Sequence, residues 1–415
     1  MKEKILKIIL VSIFLYFLIS IFYIILPQFN ISSFFYILGK LSGLIGFLFL
    51  STLIFSGDTA RFFDKFFGID KIIIFQRKFS LVTSIFVILH PIFFIISTKS
   101  IVKYILPDFT TTPLAIGILS LYLFICIMIA SLLYKRISYS KWQYIHILTY
   151  ILFGLSLYHI LTIGSDIQNL KIIYAFLFAM LCIGIIYRTT YKIKQKKYKF
   201  TVSDIQKETH NVFTIKTNKT FSFKPGQFCF LRLNKNKLYA RHPFTISSSN
   251  LDKELSFTVK LKGKFTEELY KLQKNEEIFI DGPFGIFTIE DKTKNLVFIA
   301  GGVGITPFMS MIRSQLQSNT KQNITLLYAA KTEEDLIFKE ELDKINKDWF
   351  KVRYILSREE STFCKNGYID KDIVEKEVKD IKNSVFYLCC PEKMKKSLKK
   401  SLINVNNIKT ESFFW

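Results

Sequence analysis

Three of the chain's five histidines, His90, His146 and His159, lie inside long apolar runs. An ionisable side chain is costly there and usually has a task. His90 falls near the far end of FQRKFSLVTSIFVILHP, and His159 near the corresponding end of WQYIHILTYILFGLSLYHILTIG. Two imidazoles at matched depth on two helices are what a haem iron clamped between them requires. His146 precedes His159 by 13 residues, roughly 20 Å along a helix. Its counterpart on the other helix belongs fourteen residues before His90, and there the chain has Gln76. On a regular helix positions 76 and 90 share a face, whereas 146 and 159 point some 140° apart. A π-bulge or a marked tilt would be needed for both to face one partner.

A second set of residues handles phosphates. LVFIAGGVGITPFMSMI reads as a buried strand, a glycine-rich turn and an amphipathic helix. Gly301, Gly302 and Gly304 let backbone approach a pyrophosphate, and Thr306 with Pro307 starts the helix. LSFTVKLKGKFTEEL supplies a strand, a turn and a helix start. There Gly263, Phe265 and Thr266 would aim backbone amides and a hydroxyl at phosphate. A guanidinium beside a hydroxyl, Arg358 and Ser357 in ILSREES, suits a phosphate dianion.

These residues sit on two very different halves. Apolar runs long enough to cross a bilayer lie near 5–26, 33–56, 79–98, 112–134, 142–163 and 170–190. Residues 1–190 hold 16 Lys+Arg and 6 Asp+Glu, and the rest of the chain holds 41 and 27, as a soluble domain would. The connections alternate in charge. Lys2, Lys4 and Lys7, then Arg61, Lys65, Lys71, Arg77 and Lys78, then Lys135, Arg136 and Lys141, then the lysines after Arg188 mark one side; the other carries only Lys99, Lys103 and Lys171. The positive-inside rule puts both termini in the cytoplasm, with the first segment retained as a span. The net charge of +24 follows from this arrangement and a lysine-rich bias. No recognition motif accompanies it, so nucleic acid is not an expected partner. The six cysteines show no CxxC and no regular pairing, which suits a reducing cytoplasm for the soluble half. From 200 onward short β-type runs (FTVSDI, VFTIKT, FCFLRL) give way near 295 to alternating strands and helices. That pattern predicts a β-barrel followed by an α/β nucleotide-binding domain.

Over essentially its whole length the chain resembles the ferric reductase and NADPH oxidase superfamily in its compact bacterial form. The fifth run resembles that family's ligand-bearing span, with His146 and His159 in the ligand places. The third resembles its partner, with His90 matched and Gln76 where the inner ligand should be. The family binds two stacked b haems. Here the resemblance implies one between His90 and His159, and an inner site with a haem on His146 alone, a His/Gln haem, or none. ARHPFTISSS resembles the family's flavin motif, which implies FAD with His242 toward the pyrophosphate, Phe244 packed on the isoalloxazine and Thr245 offering its hydroxyl to flavin N5, Pro243 being counted among the cofactor-binding residues. Gly226 in FKPGQF and the run DGPFG match turns of that domain. The place of Ser357 and Arg358 implies the adenosine 2′-phosphate, hence NADPH over NADH. YLCCPEKM resembles the segment beside the nicotinamide, with Cys389 matched and Cys390 replacing glycine. The terminal ESFFW offers Trp415 or Phe414 as an aromatic stacked over the flavin, or else a plain hydrophobic strand.

The expected architecture is a six-span membrane bundle (1–194), an FAD-binding barrel (195–290) and an NAD(P)H-binding α/β domain (291–415). The expected activity is electron transfer from cytosolic NADPH through FAD and haem b to a small-molecule acceptor outside, with oxygen favoured over a ferric complex, another metal ion or a quinone. No protein partner is required. A rival is a haem-bearing membrane sensor that no longer turns over, for which Gln76 and Cys390 speak.

Overall fold

The computed structural model describes residues 2–28, 30–134, 136–164, 166–194, 199–233, 242–289, 295–319, 321–361, 364–402, 405 and 407–411. Contacts divide the chain into two compact units, one of them Met1–Gln195 and the other beginning at Lys196.

In the first unit the described residues form α1 (Lys2–Ile25), α2 (Phe34–Asp58), α3 (Ala60–Phe67), α4 (Ile69–Thr98), α5 (Val102–Ile105), α6 (Thr112–Leu132), α7 (Tyr139–Ile147), α8 (Thr149–Ile163) and α9 (Ile167–Lys194). Six stretches are long and apolar enough to cross a membrane. Apolar side chains on their outer faces, such as Ile8, Ile19, Ile85, Ile172 and Ile186, stay exposed. In a multi-pass protein that surface belongs to lipid. α2 lies deepest, and Ile45, Phe47 and Leu48 pack with Ile21 and Ile25 of α1, Phe153 of α8, and Leu170 and Leu177 of α9.

Two helices depart from the sequence reading. α4 begins at Ile69, well before the apolar run, so Gln76 and His90 share one helix. The fifth span is two helices. α7 stops at Ile147, the chain turns at Leu148, and α8 begins at Thr149. This break separates His146, on α7, from His159, on α8, and no π-bulge occurs among the described residues. The Leu148 amide bonds back to the Ile145 carbonyl, three residues earlier, and the Thr149 hydroxyl caps the His146 carbonyl.

The second unit holds two sheets. β1 (Lys199–Thr209), β2 (Val212–Thr217), β3 (Phe228–Arg232), β4 (His242–Thr245), β5 (Ser256–Lys260) and β6 (Glu277–Phe284) pair antiparallel in the order β4-β3-β6-β1-β2-β5, with α10 (Lys264–Tyr270) between β5 and β6. A bridge between Ile246 and Phe257 joins the two edges into a barrel. The second sheet is wholly parallel: β7 (Asn295–Gly301), β8 (Ile324–Ala330), β9 (Phe350–Leu356), β10 (Lys365–Asn366), β11 (Ser384–Cys389) and β12 (Ile408–Thr410), ordered β10-β9-β8-β7-β11-β12. Its helices are α11 (Thr306–Gln317), α12 (Lys339–Asp343), α13 (Lys371–Glu377) and α14 (Glu392–Ser401). The strand order reverses between β7 and β11, the crevice where open α/β sheets bind dinucleotides.

Candidate functional site

In the membrane unit His90 and His159 face each other, with ring centroids 6.3 Å apart and planes at 82°. Each ring is fixed in the same way. His90 Nδ1 donates to the Gly39 carbonyl and His159 Nδ1 to the Pro113 carbonyl, both at 2.8 Å. A carbonyl can only accept, so Nδ1 carries the proton and Nε2 keeps its lone pair for a metal. Four residues beyond each acceptor stands a glycine. A Cβ on Gly43 would meet His90 Nδ1 at 2.5 Å, and one on Gly117 would meet His159 Nδ1 at 2.4 Å. Small residues at these positions let α2 approach α4, and α6 approach α8, with an imidazole in each gap.

The two rings open into a cavity of about 670 Å³, lined by Leu50, Phe124 and Leu152 among others and polar at Lys40, Lys103 and Asp166. Bonds from a metal to two imidazole nitrogens run about 2.0–2.1 Å each. With roughly 1.1 Å from nitrogen to ring centre on either side, the centroids should stand about 6 Å apart. The geometry therefore fits an iron held between the pair, and the apolar cavity fits a macrocycle around it. Sequence reasoning missed the polar rim, where Lys40 pairs with Asp166 at 2.5 Å and Gln28 bonds to both. The signal was a lysine interrupting the second apolar run. His146 and Gln76 do not line this cavity.

In the reductase unit β4 carries the flavin motif at a sheet edge, the place where Pro243 costs no ladder hydrogen bond. His242 stacks face to face on Phe265 at 3.9 Å, and Phe265 lies parallel to Phe244 at 6.1 Å. Burial pulls the His242 imidazole below its ordinary 6.5, so a neutral ring, and not a cation, stands where the pyrophosphate was expected. The Thr245 hydroxyl is buried without a hydrogen-bond partner among the described residues. An orphaned hydroxyl beside an aromatic face fits a flavin whose ring nitrogen supplies the missing partner. Thr266 differs from expectation: its hydroxyl donates to the Gly263 carbonyl at 2.8 Å and accepts from the Lys262 amide at 2.7 Å. It closes its own turn around Gly263, which has φ +95°.

The serines after the motif tie the barrel to α11. Arg313 donates to the Ser247 carbonyl and pairs in both prongs with Glu341, and Ser310 donates to the Ser248 carbonyl. Neither anchor was read from sequence, where both look like ordinary helix residues. Gly226 is more than an ordinary turn: a Cβ there would strike the Phe287 carbonyl at 2.1 Å.

At the strand-order reversal the glycine turn meets the Cys389–Pro391 segment. A Cβ on Gly304 would fall 2.0 Å from the Cys389 carbonyl, and one on Gly301 would crowd Pro391 and Cys390. These two glycines are demanded by the protein's own packing. Gly302, at φ +56°, takes no part in that packing and has open space beside it. Thr306 is buried and donates to the Val303 carbonyl, and Pro307 sits in the first turn of α11. Burial, reinforced by the Glu411 carboxylate, pushes the Cys389 thiol well above its usual range, and burial pushes Cys390 up to about 11. Both are thiols at neutral pH. Ser357 and Arg358 follow β9, their amides bonded to Ala330 and Lys331. Arg358 is exposed and has no ion-pair partner among the described residues. Trp415 and Phe414 lie outside the described residues.

A model of the ferric reductase like transmembrane component matches residues 42–157, one of an FAD-binding domain 194–327, and one of the oxidoreductase NAD-binding domain 298–400. The gamma subunit of sulfhydrogenase 2 from Pyrococcus furiosus is 26% identical over 202 residues, 45% of this chain and 69% of that one. The glycine betaine monooxygenase reductase subunit of Chromohalobacter salexigens is 31% identical over 44% of this chain and 52% of its own. A heavy chain of the superoxide-generating NADPH oxidase of Dictyostelium discoideum is 35% identical over 127 residues, 25% of this chain and 18% of that one. The chain thus spans about half of the betaine reductase subunit and under a fifth of the oxidase.

Proposed function

Given a membrane-spanning NAD(P)H oxidoreductase that joins a ferric reductase like transmembrane component to FAD- and NAD-binding domains, we propose that it carries electrons outward from cytosolic NADPH through FAD and haem b to molecular oxygen, releasing superoxide. Bound flavin converts a two-electron hydride donor into single-electron output, and bound haem iron takes up and gives out single electrons. The observation that carries this reading is the facing pair of His90 and His159, each with Nδ1 tied to a carbonyl and Nε2 free. Phe244 and Thr245 shield the flavin ring and bond to it, while Gly302 and the start of α11 receive the dinucleotide phosphates. Arg358, without an ion-pair partner among the described residues, supports a 2′-phosphate and hence NADPH. The basic connections support a cytoplasmic reductase half in a cell membrane. The likeness to a superoxide-generating oxidase supports oxygen as acceptor.

A second reading, reduction of an anionic ferric chelate, draws on Lys103, exposed at the cavity rim with Tyr104 beside it. One assay separates the two. With purified protein and NADPH in air, cytochrome c reduction should be abolished by superoxide dismutase and its rate left unchanged by chelated ferric iron. Ferric reduction that persists without oxygen, with no dismutase-sensitive signal in air, would replace oxygen by iron.

A further inference from the structure

We propose that this chain holds one haem only, and that the inner level of the bundle, where the family resemblance implies another, is a hydrogen-bonded helix junction instead. The proposal rests on the haem reading of His90 and His159.

Among the described residues the inner level lacks the facing pair of carbonyl-tied imidazoles that builds the outer one. His146 lies flat on Trp142, with ring centroids 4.9 Å apart and planes at 16°. Neither of its ring nitrogens makes a hydrogen bond among the described residues, so nothing holds a tautomer ready for a metal. The turn at Leu148 puts His146 on α7, while His159 is aimed by α8. Gln76, where the resemblance puts the second inner ligand, spends its amide on α2: Nε2 donates to Ser56 Oγ at 3.1 Å, over the gap left by Gly57. Amide nitrogen has no lone pair to give, and amide oxygen is a hard donor for an iron that imidazole suits.

One turn away the space is crossed by ion pairing. Asp58, the last residue of α2, accepts from Tyr150 of α8 at 2.5 Å and from Arg188 of α9 at 3.0 Å, and Arg188 also donates to Tyr150 at 2.7 Å. The Asp58 side chain is almost fully buried, and Gly184 leaves room for it. Its Oδ2 is buried without a partner among the described residues. An apolar macrocycle face has no donor to offer that oxygen, so the junction and a haem are poor neighbours. Tyr150 stands one turn after His146, on the stretch of chain an inner haem would need.

The test is the haem-to-FAD ratio of full-length protein purified after saturation with both, read by pyridine haemochrome and released flavin. A ratio near one is expected, and a ratio near two would overturn the proposal. A ratio near zero would overturn the haem reading itself, and the proposal with it. His146→Leu should leave haem content and the low-spin spectrum unchanged, whereas His159→Leu should abolish both. A halved haem content in His146→Leu would overturn the single-haem assignment. The wild-type ratio decides the matter even where a variant fails to fold.

Discussion

Thr245 is the plainest residue on which to test the proposed flavin site. A buried hydroxyl without a hydrogen bond costs about 1–3 kcal/mol, and the chain retains one beside Phe244. Thr245→Val removes the hydroxyl at nearly constant shape, so the apo protein should melt no lower than wild type. FAD should bind about twofold to thirteenfold more weakly, the worth of one hydrogen bond at about 0.5–1.5 kcal/mol. Flavin titration by fluorescence reads this, and an unchanged Kd would remove Thr245 from the flavin site. His242 makes a pH prediction. Burial lowers its folded pKa beneath the ordinary 6.5, so the unfolded chain binds the proton more readily. Stability is therefore full above about pH 6.5 and falls as pH drops through that value toward the folded pKa. In melting scans His242→Gln should lose this component of the acid slope, and identical slopes would mean His242 is not the titrating group. Residue types were legible in sequence here because HPFT and GGVGITP keep their order. What was not legible is which glycines the fold itself demands: Gly301 and Gly304 are required by Cys389 and Cys390, nearly ninety residues away and brought close only by the sheet.

Helix pairs explain why the outer histidines are ready for metal. Their spacing was visible in the sequence, but the groove that holds each ring was not, since Gly43 and Gly117 lie on helices other than the histidines' own. Gly117→Ala tests that device. Alanine favours a helix over glycine by about 0.8–1 kcal/mol, so the fold should not suffer from propensity. Its Cβ would nevertheless stand 2.4 Å from His159 Nδ1, and the ring must move off the Pro113 carbonyl. Haem retention should weaken by about 10- to 100-fold, the usual cost of disturbing a ligand's supporting bond. Gly154→Ala on α8 is the control, because nothing lies within 4 Å of a Cβ there, and it should keep the wild-type spectrum. Equal spectra in both variants would show that the groove does not aim His159. The break at Leu148 belongs to the same scale. The stretch IHILTY around it has no proline or glycine and gives no local sign of it, and only the mismatch between 146 and 159 announced that a regular helix could not serve both.

Across the whole molecule the division of charge, sparse and one-sided in the first 190 residues and dense beyond them, has an electrical consequence under the proposed direction of flow. Each electron carried outward leaves an uncompensated positive charge on the reductase side. The opposing potential is worth about 2.3 kcal/mol per charge for every 100 mV, so a sealed membrane should slow the enzyme that charges it. In proteoliposomes with the reductase half outside, NADPH oxidation should begin fast and then decline within the first turnovers. A protonophore, or valinomycin with potassium, should restore the initial rate several-fold. Detergent-solubilised enzyme should show neither the decline nor the response. If ionophores leave the vesicle rate unchanged while the acceptor is still reduced, the electron does not cross the bilayer. Acceptor reduction would then belong on the NADPH side, with His90 and His159 outside its path.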